Sequence, residues 1–161
     1  MVRVAFTVAL LVAVAGVVVP ATEYAGVRRA DAAVRDAVDR LVSEARALAA
    51  GSDSLGPDAA PARRVLALDL PTDGFASAGV ERFAVGPPPN VTGTHPPPAN
   101  PSATRFAWRV AGGTEHVVVV DGVRIRPATG RPLRPSGGRT RLVLELVDGS
   151  DGPVVRLRRE G

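Results

Sequence analysis

Residues 4–21 form an uncharged apolar stretch, and this stretch constrains the chain more than any other feature. No charged side chain lies between Arg3 and Glu23. An α-helix rises about 1.5 Å per residue, so the stretch would measure about 27 Å, close to the roughly 30 Å hydrocarbon core of a bilayer. Because a helix satisfies its own backbone hydrogen bonds, we predict that residues 4–21 are a transmembrane anchor.

The same stretch also fits a cleaved secretory signal peptide. Residues 1–3 would be its n-region, residues 4–19 its h-region, and Ala21 the small residue at a cleavage site. The helical pattern continues after Ala21 instead of opening into a loop. This continuation favours a retained signal-anchor over a cleaved signal peptide.

Residues 22–50 predict an amphipathic helix that continues the apolar stretch. Apolar side chains recur at steps of three and four residues, which places them on one helix face. They are Val27, Val34, Val38, Leu41, Ala45 and Leu48. The repeat also fits a coiled coil with a partner chain, but it is short and contains small residues, so packing on the chain's own sheet is favoured. Gly51 suits the left-handed position beyond the helix end.

Residues 51–63 predict a linker, and residues 64–161 predict an antiparallel β-sheet domain of about five to six strands. The side chains expected to face inward are Leu66, Leu68, Leu70, Phe83, Val85, Phe106, Trp108, Val110, Leu142, Leu144, Leu146, Val155 and Leu157. Arg105 and Arg109 are expected to face outward. The predicted fold class is therefore α+β, with a long N-terminal helix, membrane anchor plus amphipathic half, packed on the sheet.

Asp121-Gly122 is the strongest local turn signal in the sequence. A two-residue turn of type I′ at this dipeptide predicts a hairpin over residues 116–126, with Val118 opposite Ile125. A further turn is predicted at residues 148–152, which are rich in Asp and Gly.

Residues 86–101 are rich in proline and predict an exposed loop outside the sheet. Asn90 begins an Asn-Val-Thr triplet, which is an N-glycosylation acceptor pattern. Its position beyond the apolar stretch favours an extracytoplasmic domain. A count of the arginines that follow the stretch would instead keep the domain inside.

The sequence indicates no catalytic, cofactor-binding or metal-binding residues. The chain has no cysteine, which excludes disulfides and thiolate metal sites. His95 and His116 are isolated, and the HExxH, GxSxG and P-loop motifs are absent. The formal net charge is +4, but the arginines are scattered and aromatic residues are few. We therefore expect no enzyme and no nucleic-acid partner, and the sequence identifies no small-molecule substrate.

The order of an apolar N-terminal helix, its amphipathic continuation and an antiparallel sheet resembles the plan of type IV pilins and pseudopilins. The segments MVRVAFTVALLVAVAG and ARRVLALDLPTDGFASAGV also resemble a family of small uncharacterised proteins of halophilic archaea. These resemblances imply a single-pass envelope protein with a structural or assembly role, and pilus or secretion-system components as partners. The alternative is a secreted or anchored extracytoplasmic binding module that captures a ligand or partner on its sheet.

Overall fold

The computed structural model describes residues 2–51, 61–74, 77–86, 103–149 and 152–160, with side chains from residue 24 onward. Within these ranges the fold is α+β, with one N-terminal helix and two sheets. In chain order the elements are α1 (Val2–Ala50), β1 (Arg63–Leu70), β2 (Val80–Val85), β3 (Thr104–Val110), β4 (His116–Val120), β5 (Ile125–Pro127), β6 (Gly138–Gly149) and β7 (Gly152–Arg159).

The strands divide between a four-stranded sheet of order β1-β6-β7-β5 and a three-stranded sheet of order β2-β3-β4. Neighbouring strands are antiparallel, except that β5 runs parallel to β7. The turn predicted at residues 148–152 does connect two paired strands, β6 and β7. We predicted one antiparallel sheet of about five to six strands. This prediction is corrected, because the described residues form two sheets, one of four strands and one of three.

The chain crosses from one sheet to the other between β4 and β5, so the hairpin predicted over residues 116–126 is wrong. Val118 pairs with Phe106 of β3, whereas β5 pairs with β7 of the other sheet. A type I′ turn needs positive φ at both central residues. Gly122 has a φ of 79°, but no described residue other than glycine has a positive φ. Asp121 therefore lacks the positive φ that this turn requires.

Thr104 holds the crossing segment against β3. Its side chain is fully buried. The Oγ1 hydroxyl donates to the carbonyl of Val123 and accepts from the N–H of Ile125, both at 2.8 Å. One hydroxyl therefore pairs with two backbone groups, which need partners inside the protein, and it joins the two sheets.

We expect Thr104→Val to lower the free energy of unfolding by about 2–4 kcal/mol, although threonine and valine have nearly the same shape. The substitution leaves two backbone groups unpaired, at a cost of about 1–3 kcal/mol for each. The matched control Thr104→Ser keeps the hydroxyl and should lose about 1 kcal/mol with the methyl group. Urea unfolding measures both values, and equal losses would contradict the role of the hydroxyl.

The second half of α1 packs against both sheets in one hydrophobic core, as the apolar stripe predicts. Val34, Val38, Leu41, Ala45 and Leu48 are all buried. The strands supply the buried residues Leu68, Leu70, Phe83, Val85, Phe106, Trp108, Val110, Leu142, Leu144, Val155 and Leu157, with Leu66 and Leu146 partly buried against them. The predicted inward faces are therefore confirmed. The helix ends at Ala50, one residue before Gly51, as predicted. The left-handed conformation predicted for Gly51 is wrong, because Gly51 does not have a positive φ.

Arg105 is buried, whereas its predicted outward position implied exposure. Arg105 is only 6% exposed, while Arg109 is exposed as predicted. Arg105 lies in the central strand of the three-stranded sheet, where it pairs with Val119 of β4. Neighbours on both sides of a central strand cover the apolar stem of an arginine.

Three predicted features lie largely or wholly outside the described residues. These are the proline-rich loop over residues 86–101 with its acceptor Asn90, most of the linker over residues 51–63, and the side chains of residues 4–21 on which the predicted anchor depends. No helix within the described residues is long and apolar enough to cross a membrane.

Candidate functional site

Four polar or aromatic side chains join α1 to the three-stranded sheet. We term this group the Asp31 junction, and its members are Asp31, Arg35, Trp108 and His116. The indole Nε1 of Trp108 donates to Asp31 Oδ1 at 2.7 Å. His116 Nε2 lies 3.2 Å from the same oxygen, and an Arg35 guanidinium nitrogen lies 2.7 Å from Asp31 Oδ2.

Regular secondary structure positions both halves of the Asp31 junction. Asp31 and Arg35 are four residues apart on α1, so their side chains lie on the same helix face. Trp108 of β3 and His116 of β4 are directly paired across the sheet. Their rings stack with centroids 5.4 Å apart and planes inclined by 23°. Docking of the helix on the sheet then brings the two pairs together.

The carboxylate of Asp31 is held by donors from its own chain. Its side chain is only 13% exposed, and a charge at that depth needs hydrogen-bonding or ionic partners. The indole, the imidazole and the guanidinium supply them, and hydrogen bonds to a charged group are stronger than neutral ones. The arrangement therefore ties the helix to the sheet. Among the described residues, no group of His, Cys, Asp and Glu could hold a metal ion.

Sequence reasoning missed the partner of His116. The sequence suggests an isolated histidine, but the structure places it beside Asp31. One local signal was present, because Asp31 occupies a position of the apolar stripe between Val27 and Val34. A polar residue in a core-facing stripe indicates a buried polar partner. His95 and the predicted glycosylation acceptor Asn90 lie outside the described residues.

A second candidate site is an open groove of about 640 Å³ beside β6 and the end of β7. It is lined by Ser136, Gly137, Arg139, Thr140, Arg141, Arg159 and Glu160. Arg139 Nε donates to Asp69 at 2.8 Å, and this hydrogen bond holds the pKa of Asp69 below its ordinary value. Arg141 Nη1 lies 3.8 Å from Glu160 Oε2. The exposed guanidinium groups give the groove the chemistry to receive a carboxylate or a phosphate.

Comparison with known proteins identifies a family without assigning a function. The model of the family described as Domain of unknown function (DUF7311) matches residues 1–160. No curated protein and no solved structure matches the chain. The match agrees with the expected resemblance to an uncharacterised family, and it does not extend to pilins.

Proposed function

We propose that this chain, which belongs to the DUF7311 family, is a membrane-anchored, non-catalytic structural or assembly protein of the cell envelope. In this proposal α1 has two roles. Residues 4–21 anchor the chain in lipid, and the second half of the same helix carries the folded domain, as in a pilin or pseudopilin. The observation that carries the proposal is the length of α1 compared with the part of it that the domain buries.

The helix is much longer than its buried segment. It contains 49 residues, which is about 73 Å at roughly 1.5 Å per residue. Its described buried positions run from Gly26 to Leu48, a distance of about 33 Å. Tyr24, before this segment, is 60% exposed. About half of the helix therefore precedes the buried segment, and most of that part is the uncharged stretch, whose side chains lipid would solvate better than water.

The Asp31 junction supports a role without catalysis. Its carboxylate and imidazole are groups suited to proton transfer, and here they contact each other and hold the helix to the sheet. We propose that the folded domain lies outside the membrane, where Asn90 would be accessible for glycosylation. Pilus or secretion-system components would be its partners.

Membrane fractionation of the full chain tests the anchor. We expect the chain in the alkali-resistant membrane pellet, and we expect the double variant Leu10→Arg, Leu11→Arg in the supernatant. Each arginine at the centre of an apolar span costs about 2.5–3.5 kcal/mol of insertion free energy. The matched control Leu10→Ile, Leu11→Ile keeps the volume and the hydropathy and should remain in the pellet.

Protease added to intact cells measures sidedness, and we expect it to digest the domain. A full chain that is folded by circular dichroism but stays in the supernatant would contradict the anchor. Digestion only after cell lysis would contradict the outside location.

A second candidate function is an extracytoplasmic binding module, which the arginine-lined groove favours. Arg139 and Arg141 present planar guanidinium groups to the groove, and such groups bind carboxylates and phosphates through paired hydrogen bonds. The intact mass of the mature protein separates the two candidates. Loss of residues 1–21 would remove the proposed anchor and favour the binding module.

A further inference from the structure

Six arginines form a diagonal line across the outer face of the four-stranded sheet. Successive residues of a strand point to opposite faces. The residues that alternate with these arginines, such as Ile125, Leu142 and Leu157, are buried in the core. The arginines therefore lie on the face that is turned away from the core. We term this set the arginine stripe, and its members are Arg139, Arg141, Arg158, Arg156, Arg126 and Arg124.

The strand register sets the order and the spacing of the arginine stripe. Arg126 of β5 is directly paired with Arg156 of β7. Arg158 of β7 is paired with Val143 of β6, two residues beyond Arg141, so Arg141 and Arg158 are diagonal neighbours. Strands lie about 4.8 Å apart and alternate residues of a strand roughly 6.7 Å apart. Neighbouring positions of the stripe are therefore separated by about 5–8 Å, and the whole stripe measures roughly 25–30 Å.

Positive charge exceeds negative charge along the arginine stripe. Within the described residues, three carboxylates flank it on the same face, those of Asp69, Glu145 and Glu160. Six guanidinium groups therefore face three carboxylates. Burial and the nearby charge of Arg124 lower the pKa of Arg126, as expected for a partly buried cation beside another cation. An anion bound along the stripe would reduce this repulsion.

The shape of this surface favours a polymer over a small ligand. Small ligands bind in concave sites that bury most of their surface, whereas the outer face of a sheet is open along its whole length. A polymer with repeated anionic groups would contact several arginines at once, and linked contacts strengthen binding without any single contact being strong. Guanidinium groups bind carboxylates through paired hydrogen bonds, which suits them to such repeated groups.

The composition of the sheet favours an acidic polysaccharide over a single-stranded nucleic acid. Sites for single-stranded nucleic acids combine positive charge with aromatic side chains on which the bases stack. The described strands β1, β5, β6 and β7 contain no aromatic residue. An acidic polysaccharide has no bases to stack, and its carboxylates are the groups that the arginines can bind.

The position of the stripe along α1 disfavours a lipid surface as the ligand. Arg64 of β1 forms an ion pair with Glu44 of α1. Arg64 is paired with Leu144, which is paired with Leu157, between the two stripe arginines of β7. The centre of the stripe is therefore about level with Glu44, which lies about 32 Å along α1 from Glu23 at the end of the uncharged stretch. Salt screens charge interactions beyond about 8 Å, so the proposed anchor would keep the stripe away from lipid headgroups.

We propose that the arginine stripe binds an acidic polysaccharide through the carboxylate groups of its sugars. This inference names a ligand class for the second candidate function, on which it rests for the location outside the membrane. The groove beside Arg139 and Arg141 is then one end of a longer binding surface. The binding itself does not require the anchor.

Binding of polygalacturonate to the full chain in mild detergent tests the proposal. We expect biolayer interferometry to show binding to immobilised polygalacturonate at low salt and no binding to dextran, a neutral polysaccharide. Raising the salt concentration from about 0.05 M to about 0.5 M should weaken binding at least about tenfold, because salt screens exposed charges.

Two double variants locate the binding surface. Arg156→Glu, Arg158→Glu reverses two charges at the centre of the stripe and should weaken binding at least about tenfold. The matched control Arg82→Glu, Arg109→Glu makes the same change of charge at two exposed arginines that are paired on the three-stranded sheet. The control should retain the affinity within about threefold. Circular dichroism verifies folding, and Arg156→Gln, Arg158→Gln replaces the stripe variant if charge reversal prevents folding.

Three results would overturn the proposal. Equal losses in the stripe variant and the control would show that net charge alone explains binding. Tighter binding to oligothymidylate than to polygalacturonate with the same number of charges would overturn the polysaccharide class. The third is a folded full chain that does not bind polygalacturonate at low salt. Because binding is measured in detergent, its failure is a separate result from failure of the chain to pellet with membranes.

Discussion

Leu41→Asp should lower the free energy of unfolding by about 4 kcal/mol or more. Leu41 is fully buried in the core that α1 shares with both sheets. The substitution removes a large apolar side chain and places a carboxylate where the surrounding core residues are apolar. Because small domains are stable by only about 5–15 kcal/mol, such a loss is a large fraction of the total. Urea titration followed by circular dichroism measures it.

Two further variants separate the causes of that loss. Leu41→Ala creates a cavity without a charge and should cost about 2–5 kcal/mol. Ala33→Asp adds the same charge at an exposed position of the same helix and should change stability by less than about 1 kcal/mol. A Leu41→Asp protein as stable as the unmodified chain would contradict the docking of α1 on the sheets.

Trp108→Ala should lower the free energy of unfolding by about 3–5 kcal/mol. Trp108 is 1% exposed, stacks on His116 and donates its indole N–H to Asp31. The matched variant Trp108→Phe keeps an aromatic ring but removes the donor from a largely buried carboxylate, at a cost of about 1–3 kcal/mol. Since the chain has one tryptophan, unfolding of both variants must be followed by circular dichroism instead of fluorescence.

A double-mutant cycle isolates the hydrogen bond itself. Trp108→Phe and Asp31→Ala both remove it, so their combined effect should be smaller than the sum of the single effects by about 0.5–3 kcal/mol. Strictly additive losses would show that the bond contributes nothing to stability, and the Asp31 junction would lose its structural role.

Periodicity predicted which faces of the elements are buried. Periodicity reports the direction of each side chain, and this direction follows from local geometry. Examples are the helical stripe through Val34 and Leu41 and the strand alternation through Leu142 and Leu144. Periodicity does not report which strand pairs with which. The Asp-Gly turn signal suggested a hairpin, but the segment after it pairs elsewhere, held in part by Thr104 through contacts that no local pattern shows.

The candidate sites were harder to predict than the fold. Asp31 and Trp108 are separated by 77 positions in the chain, and only the docking of the helix brings them together. Arg105 follows the outward alternation of its strand but is buried by neighbours whose pairing the sequence does not specify. Both cases depend on tertiary contacts, which override a correct local pattern.

The unbroken course of α1 from Val2 to Ala50 has a mechanical consequence. Tension applied near its first turns would be transmitted along the rod to Leu41 and Leu48, which are embedded among both sheets. The hydrogen bonds along the helix axis and the apolar contacts of its second half would resist the pull together. Under a pulling force the domain would unfold as one cooperative unit, because α1 cannot leave the core without breaking the contacts that both sheets make with it.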